Sequence, residues 1–262
     1  MMNGKTMKLQ PLKQQQYALL CQKKDLLLGQ VGRLYEPHAK QQQFHIFGKV
    51  AQERLFLAGN RCGKTLAGCM EVVFHLTGQY PSWWRGVRFA QPIQAWAASV
   101  TMEATRDILQ ATYLGNIPEN LRGRKTMRRG VADAIDTLEV RHISGGFSKL
   151  AFKSYDQGRE KFQGTVRDVI HLDEEPDIGI YEECVVRTMT SGGHILLTMT
   201  PLLGMTDLCA RFLGQDVEKR AVIRATWDDA KHLHENDKTR LAATLRPHEL
   251  AARRDGTPKL GM

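Results

Sequence analysis

Short apolar runs alternate with amphipathic stretches along most of this 262-residue chain. The runs Arg54-Leu-Phe-Leu-Ala58, Ala95-Trp-Ala-Ala-Ser-Val100, Leu138–Ile143, Leu150–Ser154, Val169–Asp173, Ile195–Met199 and Ala221–Ala225 read as strands. From Lys64 to about His75, Leu66, Met70, Val73 and Phe74 recur at helical spacing. Further helices are expected from about Met102, over Tyr181–Met189 and over Lys238–Leu245. Strands alternating with helices predict an α/β fold, a mainly parallel central sheet with helices on both faces. Upstream, the Gln-rich pattern Leu12 to Leu28 reads as an appended helix. Beyond Asp228 a charged tail closes in Asp255-Gly-Thr-Pro-Lys-Leu-Gly, the composition of a linker.

Composition narrows the class. Hydrophobic residues at 42% and charged residues at 25% are ordinary globular values, which imply a packed core and exclude a disordered chain. The net charge of +9 and pI near 9.4, with basic runs at 122–129 and Arg253-Arg254, suit a polyanionic partner or a merely basic soluble protein. Composition leaves both open. Five cysteines without a C-x-x-C indicate neither a disulfide framework nor a zinc site, and a reducing interior is expected. The first residues lack an apolar core of the secretory kind, and no apolar run reaches about 18 residues, which argues against secretion and membrane spanning.

Candidate chemistry begins at Ala58-Gly59-Asn60-Arg61-Cys62-Gly63-Lys64-Thr65, which fits G-x-x-x-x-G-K-[ST] with Ala at the first glycine position. An apolar strand precedes it and an amphipathic helix follows, the context a phosphate loop needs. There the backbone N–H groups and helix N-terminus face the phosphates, Lys64 reaches the β and γ oxygens, and Thr65 offers its hydroxyl to Mg²⁺. Ala58 is tolerated at its position if its φ is negative. Arg61 reads either as a γ-phosphate contact or as a solvated surface arginine.

Val169-Ile-His-Leu-Asp-Glu174 supplies the second half: an apolar strand ending in two carboxylates. Asp173 would hold Mg²⁺ and Glu174 would polarise the attacking water. A strand ending in a polar turn is the rival reading. His171 fits a core histidine better than a metal ligand. Thr198 or Thr200, closing Ile195–Met199, could sense the γ-phosphate, unless that strand simply ends at Pro201.

In order, Tyr35-Glu-Pro-His-Ala-Lys-Gln-Gln-Gln-Phe44, the phosphate loop, Tyr155-Asp-Gln-Gly-Arg-Glu-Lys-Phe-Gln-Gly164 leading into the Asp-Glu strand, and Leu197-Thr-Met-Thr-Pro201 resemble the large terminase subunit of tailed bacteriophages. The resemblance covers about residues 35 to 260. It implies an ASCE-type P-loop ATPase: Gln41 reading adenine, Tyr35, Pro37 and Phe44 stacking or packing beside it, Lys64, Thr65 and Arg61 on the phosphates and Mg²⁺, Asp173 and Glu174 as the Walker B pair, Thr198 to Thr200 coupling hydrolysis to motion. It further implies ATP and Mg²⁺ as cofactors, double-stranded DNA, a portal protein and a small terminase subunit as partners, a homo-oligomeric ring on the procapsid, and the cytoplasm of the infected host. Such ATPases are weak until a neighbouring subunit completes the site, and the trans-acting arginine is not placed by the resemblance. On this reading 1–34 is a helical appendage, 35–226 the ATPase domain, and 227–262 a segment toward an absent nuclease domain, so nuclease activity is not expected. A helicase-like translocase and a non-hydrolytic nucleotide switch are the alternatives.

Overall fold

The computed structural model describes residues 31–32, 34–214 and 220–259. The appended helix Leu12–Leu28 and Cys21 lie outside the described residues. The elements are α1 (Ala39–Ile46), β1 (Glu53–Ala58), α2 (Lys64–Thr77), β2 (Gln94–Ser99) and a helix over 102–116, α3, whose middle turn Thr105–Gln110 is π-wound. Next come β3 (Arg122–Met127), β4 (Ile135–Arg141), β5 (Phe147–Ser154), β6 (Val169–Asp173) and α4 (Ile178–Met189). The chain continues as β7 (His194–Met199), α5 (Asp207–Leu213), β8 (Arg220–Ala225), α6 (Glu235–Thr244) and α7 (Pro247–Asp255).

Eight strands form one sheet in the order β3-β4-β5-β2-β6-β7-β1-β8. From β5 to β8 every pairing is parallel, and β3 and β4 extend the sheet as an antiparallel margin. The expected strands are all present. β3 was not expected, because Arg-Gly-Arg-Lys-Thr-Met has no apolar alternation; it is an edge strand whose charged side chains keep it from pairing onward.

The parallel strands are buried on both sides, so they read as continuous apolar runs. Phe56, Val169 and Leu196 pack under α2 and α3, while Leu55, Leu57, Ile170, Leu172, Ile195 and Leu197 pack under α4 and α5. Leu66, expected on the inner face of α2, is instead 38% exposed. Inside the first layer, Arg54 on β1 and Glu71 on α2 are fully buried and pair at 2.5 Å. His45 Nδ1 and His75 Nε2 add contacts of 2.7 and 3.3 Å to the same carboxylate, and Arg54 also donates to the Phe44 carbonyl. Burial alone would raise the Glu71 pKa, but Arg54 and the two histidines hold it well below the usual carboxylate range.

Burial also pushes the imidazoles of His45 and His75 down and that of His194 to about 4. A histidine lowered on folding contributes stability that is full above its unfolded pKa near 6.5 and is lost as pH falls toward the folded value. The unfolding free energy is therefore expected to fall from about pH 6.5 to pH 4, by about 3 kcal/mol from His194 alone, and urea midpoints are expected to fall with it. A midpoint constant over that range would contradict the assignment. Among the described residues no helix is long and apolar enough to cross a membrane.

Candidate active site

β7 lies between β1 and β6, so the C-terminal ends of three neighbouring strands present the loop, the acidic pair and the threonines to one crevice. Gly63 caps α2 in the left-handed region at φ 73°, where a side chain would be strained and would strike the Gln41 amide. No protein acceptor takes the N–H groups of 61–66 among the described residues, and the first helical bond runs from Ala67 N–H to the Gly63 carbonyl. A row of free N–H groups at a helix N-terminus is a cradle for anions. Ala58 is absent from the residues with positive φ, so the expectation for a tolerated alanine holds. The glycine that this loop needs is Gly59: a Cβ there would sit 2.5 Å from the Arg253 and Arg254 carbonyls.

Lys64 is buried, and its ammonium lies 3.6 Å from a Glu174 carboxylate oxygen. Glu174 occupies the left-handed region at φ 60°, an uncommon conformation for a side-chain-bearing residue that marks a strained turn. That turn directs the Glu174 N–H to the Thr198 carbonyl, while its carboxylate accepts from the Thr200 N–H at 3.2 Å. Burial pushes the Glu174 carboxyl up, the Lys64 ammonium opposes this, and Asp173 adds to it. Glu175 turns instead toward the Thr206 hydroxyl, away from the lysine.

Asp173 is 2% exposed and takes hydroxyl hydrogen bonds on Oδ1 from Thr65 (2.8 Å) and Thr198 (2.7 Å). Behind it, His171 Nε2 lies 2.8 Å from the Thr198 hydroxyl and its Nδ1 lies 3.0 Å from the Tyr113 hydroxyl. Burial lowers the His171 pKa to about 3, so the ring is neutral. Thr198 gives its proton to Asp173, so the ring N–H must sit on Nε2 and Nδ1 must accept from Tyr113. Gly68 leaves the space for this ring, since a Cβ there would stand 2.3 Å from Nε2. His171 is thus a buried relay in the hydrogen-bond network, as its place in the strand implied.

The pairing of one hydroxyl with one carboxylate suits a hard, oxygen-seeking Mg²⁺ that keeps waters and substrate phosphates as its other ligands. Among the described residues no cluster of three or more acidic, histidine or cysteine side chains offers a denser metal cage.

Thr200 donates toward the Ala58 carbonyl and lies at the same 3.0 Å from Asn60 Oδ1, tying β7 to the loop. Gln41 spends both ends of its amide locally: it accepts from the His38 N–H and donates to the Gly63 carbonyl at 2.8 Å. Tyr35 and Phe44 are core packing groups, Phe44 stacking on Phe56 at 5.4 Å between centroids. Arg61, at φ 66°, is exposed and lines a cavity of about 510 Å³ with Trp227, Leu233 and the α6 residues Asp237, Lys238 and Leu241.

Three contributors escaped the sequence reading. The Tyr155 hydroxyl reaches the carbonyls of Asp173 and Glu174 at 3.0 and 3.1 Å, pinning the strained turn. Trp227 donates to the Asn60 carbonyl, and the Asn60 N–H donates to the Arg253 carbonyl at 2.7 Å. The segment 227–259, read from the sequence as a linker toward an absent nuclease domain, packs back on the phosphate loop through these contacts. Nothing in its charged composition signalled that.

The family described as terminase large subunit, T4likevirus-type, N-terminal, matches residues 55–261. The terminase large subunit of Salmonella phage P22 is 34% identical over 260 residues, which are 87% of this chain and 52% of that protein. The chain therefore spans about half the length of that relative. Among solved structures, the large terminase ATPase domain of Thermus phage P74-26 superposes with TM-score 0.62 at 18% identity, covering 84% of this chain and 93% of that one. The large terminase of a second thermophilic bacteriophage gives TM-score 0.67 at 15% identity, covering 86% and 54%, and was also solved in complex with ATP-gamma-S (TM-score 0.55, 16% identity, covering 92% and 52%). At these identities the structural likeness carries the fold, an α/β P-loop ATPase-domain architecture, while the family match covers most of the sequence: the chain belongs to the terminase large subunit family and corresponds to its N-terminal domain.

Proposed function

We propose that this chain hydrolyses Mg·ATP at the phosphate loop and that the hydrolysis drives double-stranded DNA into a procapsid. The convergence of Lys64, Thr65, Asp173 and Glu174 on one crevice carries the reading. Lys64 and the loop N–H groups bind the β and γ phosphates, and Arg61, exposed on the loop, is assigned the γ-phosphate contact. Thr65 and Asp173 would hold Mg²⁺, which would supply charge neutralisation to the phosphates. Glu174 orients the attacking water and accepts its proton, its carboxylate fixed by the Thr200 N–H and the Lys64 ammonium.

Thr198 and Thr200 link the two halves of the site, the first through Asp173 and the second through Ala58 and Asn60, which fits a coupling role. Gln41 would read adenine with the amide N–H and oxygen lone pair left over from its bonds to the Gly63 carbonyl and the His38 N–H. Portal protein, small subunit, a ring of identical subunits and the host cytoplasm belong to the same reading, as does the division into 1–34, 35–226 and 227–262.

Lys64→Ala and Asp173→Asn are each expected to weaken Mg²⁺-dependent ATP binding by about 10- to 100-fold, the loss of one charge-assisted contact. Calorimetric titration with ATP, with and without Mg²⁺, checks this. Parental affinity in Lys64→Ala would remove the phosphate loop from the account.

A further inference from the structure

The sheet face opposite α2 is roofed by α4 and α5 over β6, β7 and β1, but the outward side chains of β4 and β5 other than Ala151 remain wholly or half exposed. Arg141, Phe147 and Lys149 are exposed there and Lys153 is half-buried. Register sets them in rows: Arg141 opposite Phe147, Lys149 between Glu139 and Gln94, Lys153 beside Ala98. Successive outward positions lie about 7 Å apart along a strand, so Lys149 and Lys153 stand about 13 Å apart.

Two cations share the Trp96 indole. Lys153 Nζ and the Arg167 guanidinium each lie 4.6 Å from its centroid. The Arg167 Nε is buried without a hydrogen-bond partner. Among the described residues no carboxylate lies within 4.0 Å of Arg141, Lys149, Lys153 or Arg167. The acids that face this surface are Glu139, beside Lys149; Asp136, committed to Arg128 at 3.0 Å; and Asp168, which accepts the Gln94 N–H. Burial, then Arg167 and Arg128, hold the Lys153 ammonium below its usual range, and it donates to the Lys161 carbonyl at 2.5 Å; a bound anion would offset the repulsion from the two arginines.

We propose that Arg141, Lys149, Lys153 and Arg167 form a grip for the phosphodiester backbone of duplex DNA. Charge complementarity selects a polyanion, and the packaging reading supplies its identity as DNA. The surface is built for backbone rather than bases. Single strands need open aromatic platforms, whereas Phe147 carries the Arg141 guanidinium at 5.5 Å and Trp96 is 2% exposed. A backbone grip holds without regard to sequence, which suits a partner that must slide.

The test is fluorescence anisotropy of the chain with two unrelated duplexes across a salt series. The paired change Arg141→Gln and Lys149→Gln removes two exposed contacts and is expected to reduce the slope of log K against log salt by about 1.8, at about 0.9 per phosphate. Lys153→Gln is expected to reduce it by about 0.9. A control pair, Lys49→Gln with Arg224→Gln, removes the same charge from exposed positions elsewhere and should leave the slope unchanged. Equal slopes for the two pairs, a preference of the parent for one duplex, or no duplex binding by the parent would each overturn the grip. ATP binding measured on the same variants should stay parental. Its loss in the parent would strike the phosphate-loop reading instead, so the two failures are distinguishable.

Discussion

Glu174→Gln is expected to bind Mg·ATP as the parent does and to hydrolyse it roughly 10²-fold more slowly or worse. The amide keeps the length of the side chain and an oxygen for the Thr200 N–H, so the strained turn at φ 60° and its bond to Thr198 persist. What disappears is the ability to take a proton from water. The arrangement of neighbours sharpens the expectation: Glu175 is turned to Thr206, so it does not stand in as base without remaking that turn. Single-turnover hydrolysis beside equilibrium nucleotide affinity checks both halves. A parental rate in Glu174→Gln would move the base elsewhere.

Glu71→Ala should destabilise the fold by about 3–5 kcal/mol, on the order of 10 °C in Tm. The Arg54 guanidinium has no exposure to water, and removing Glu71 leaves it beside His45 and His75 without a counter-charge. The paired change Arg54→Met with Glu71→Leu removes both charges and should recover most of that loss, since an apolar pair of similar volume avoids desolvation. Urea denaturation of the single and paired variants decides it. If Glu71→Ala costs less than about 1 kcal/mol, the pair is not the fixture that its burial implies.

The β1, β6 and β7 strands were legible because a parallel sheet buried on both faces writes uninterrupted apolar runs, and the candidate site was legible because its proposed groups sit at the ends of those runs. Arg54 and Glu71 left only a faint trace: one charge opening a strand and one acid inside an apolar helix, which no periodicity pairs across 17 positions. β3 was hidden because an edge strand gains stability from its ladder and needs no apolar face. Tyr155 acts through backbone carbonyls that any sequence would supply, so its identity alone does not announce its partner. The docking of 227–259 on the phosphate loop also runs through backbone carbonyls, those of Arg253 and Arg254 against Gly59, and main-chain contacts leave no pattern in composition.

Whether ATP is turned over here and not merely held is decided by phosphate release under single-turnover conditions, with the chain in excess over ATP. First-order release that requires Mg²⁺ and collapses in Glu174→Gln while ATP remains bound is the expected result. Stoichiometric ATP bound in the presence of Mg²⁺ and never cleaved by the parent, alone or with portal-bearing procapsids, would contradict it and make the site a nucleotide switch.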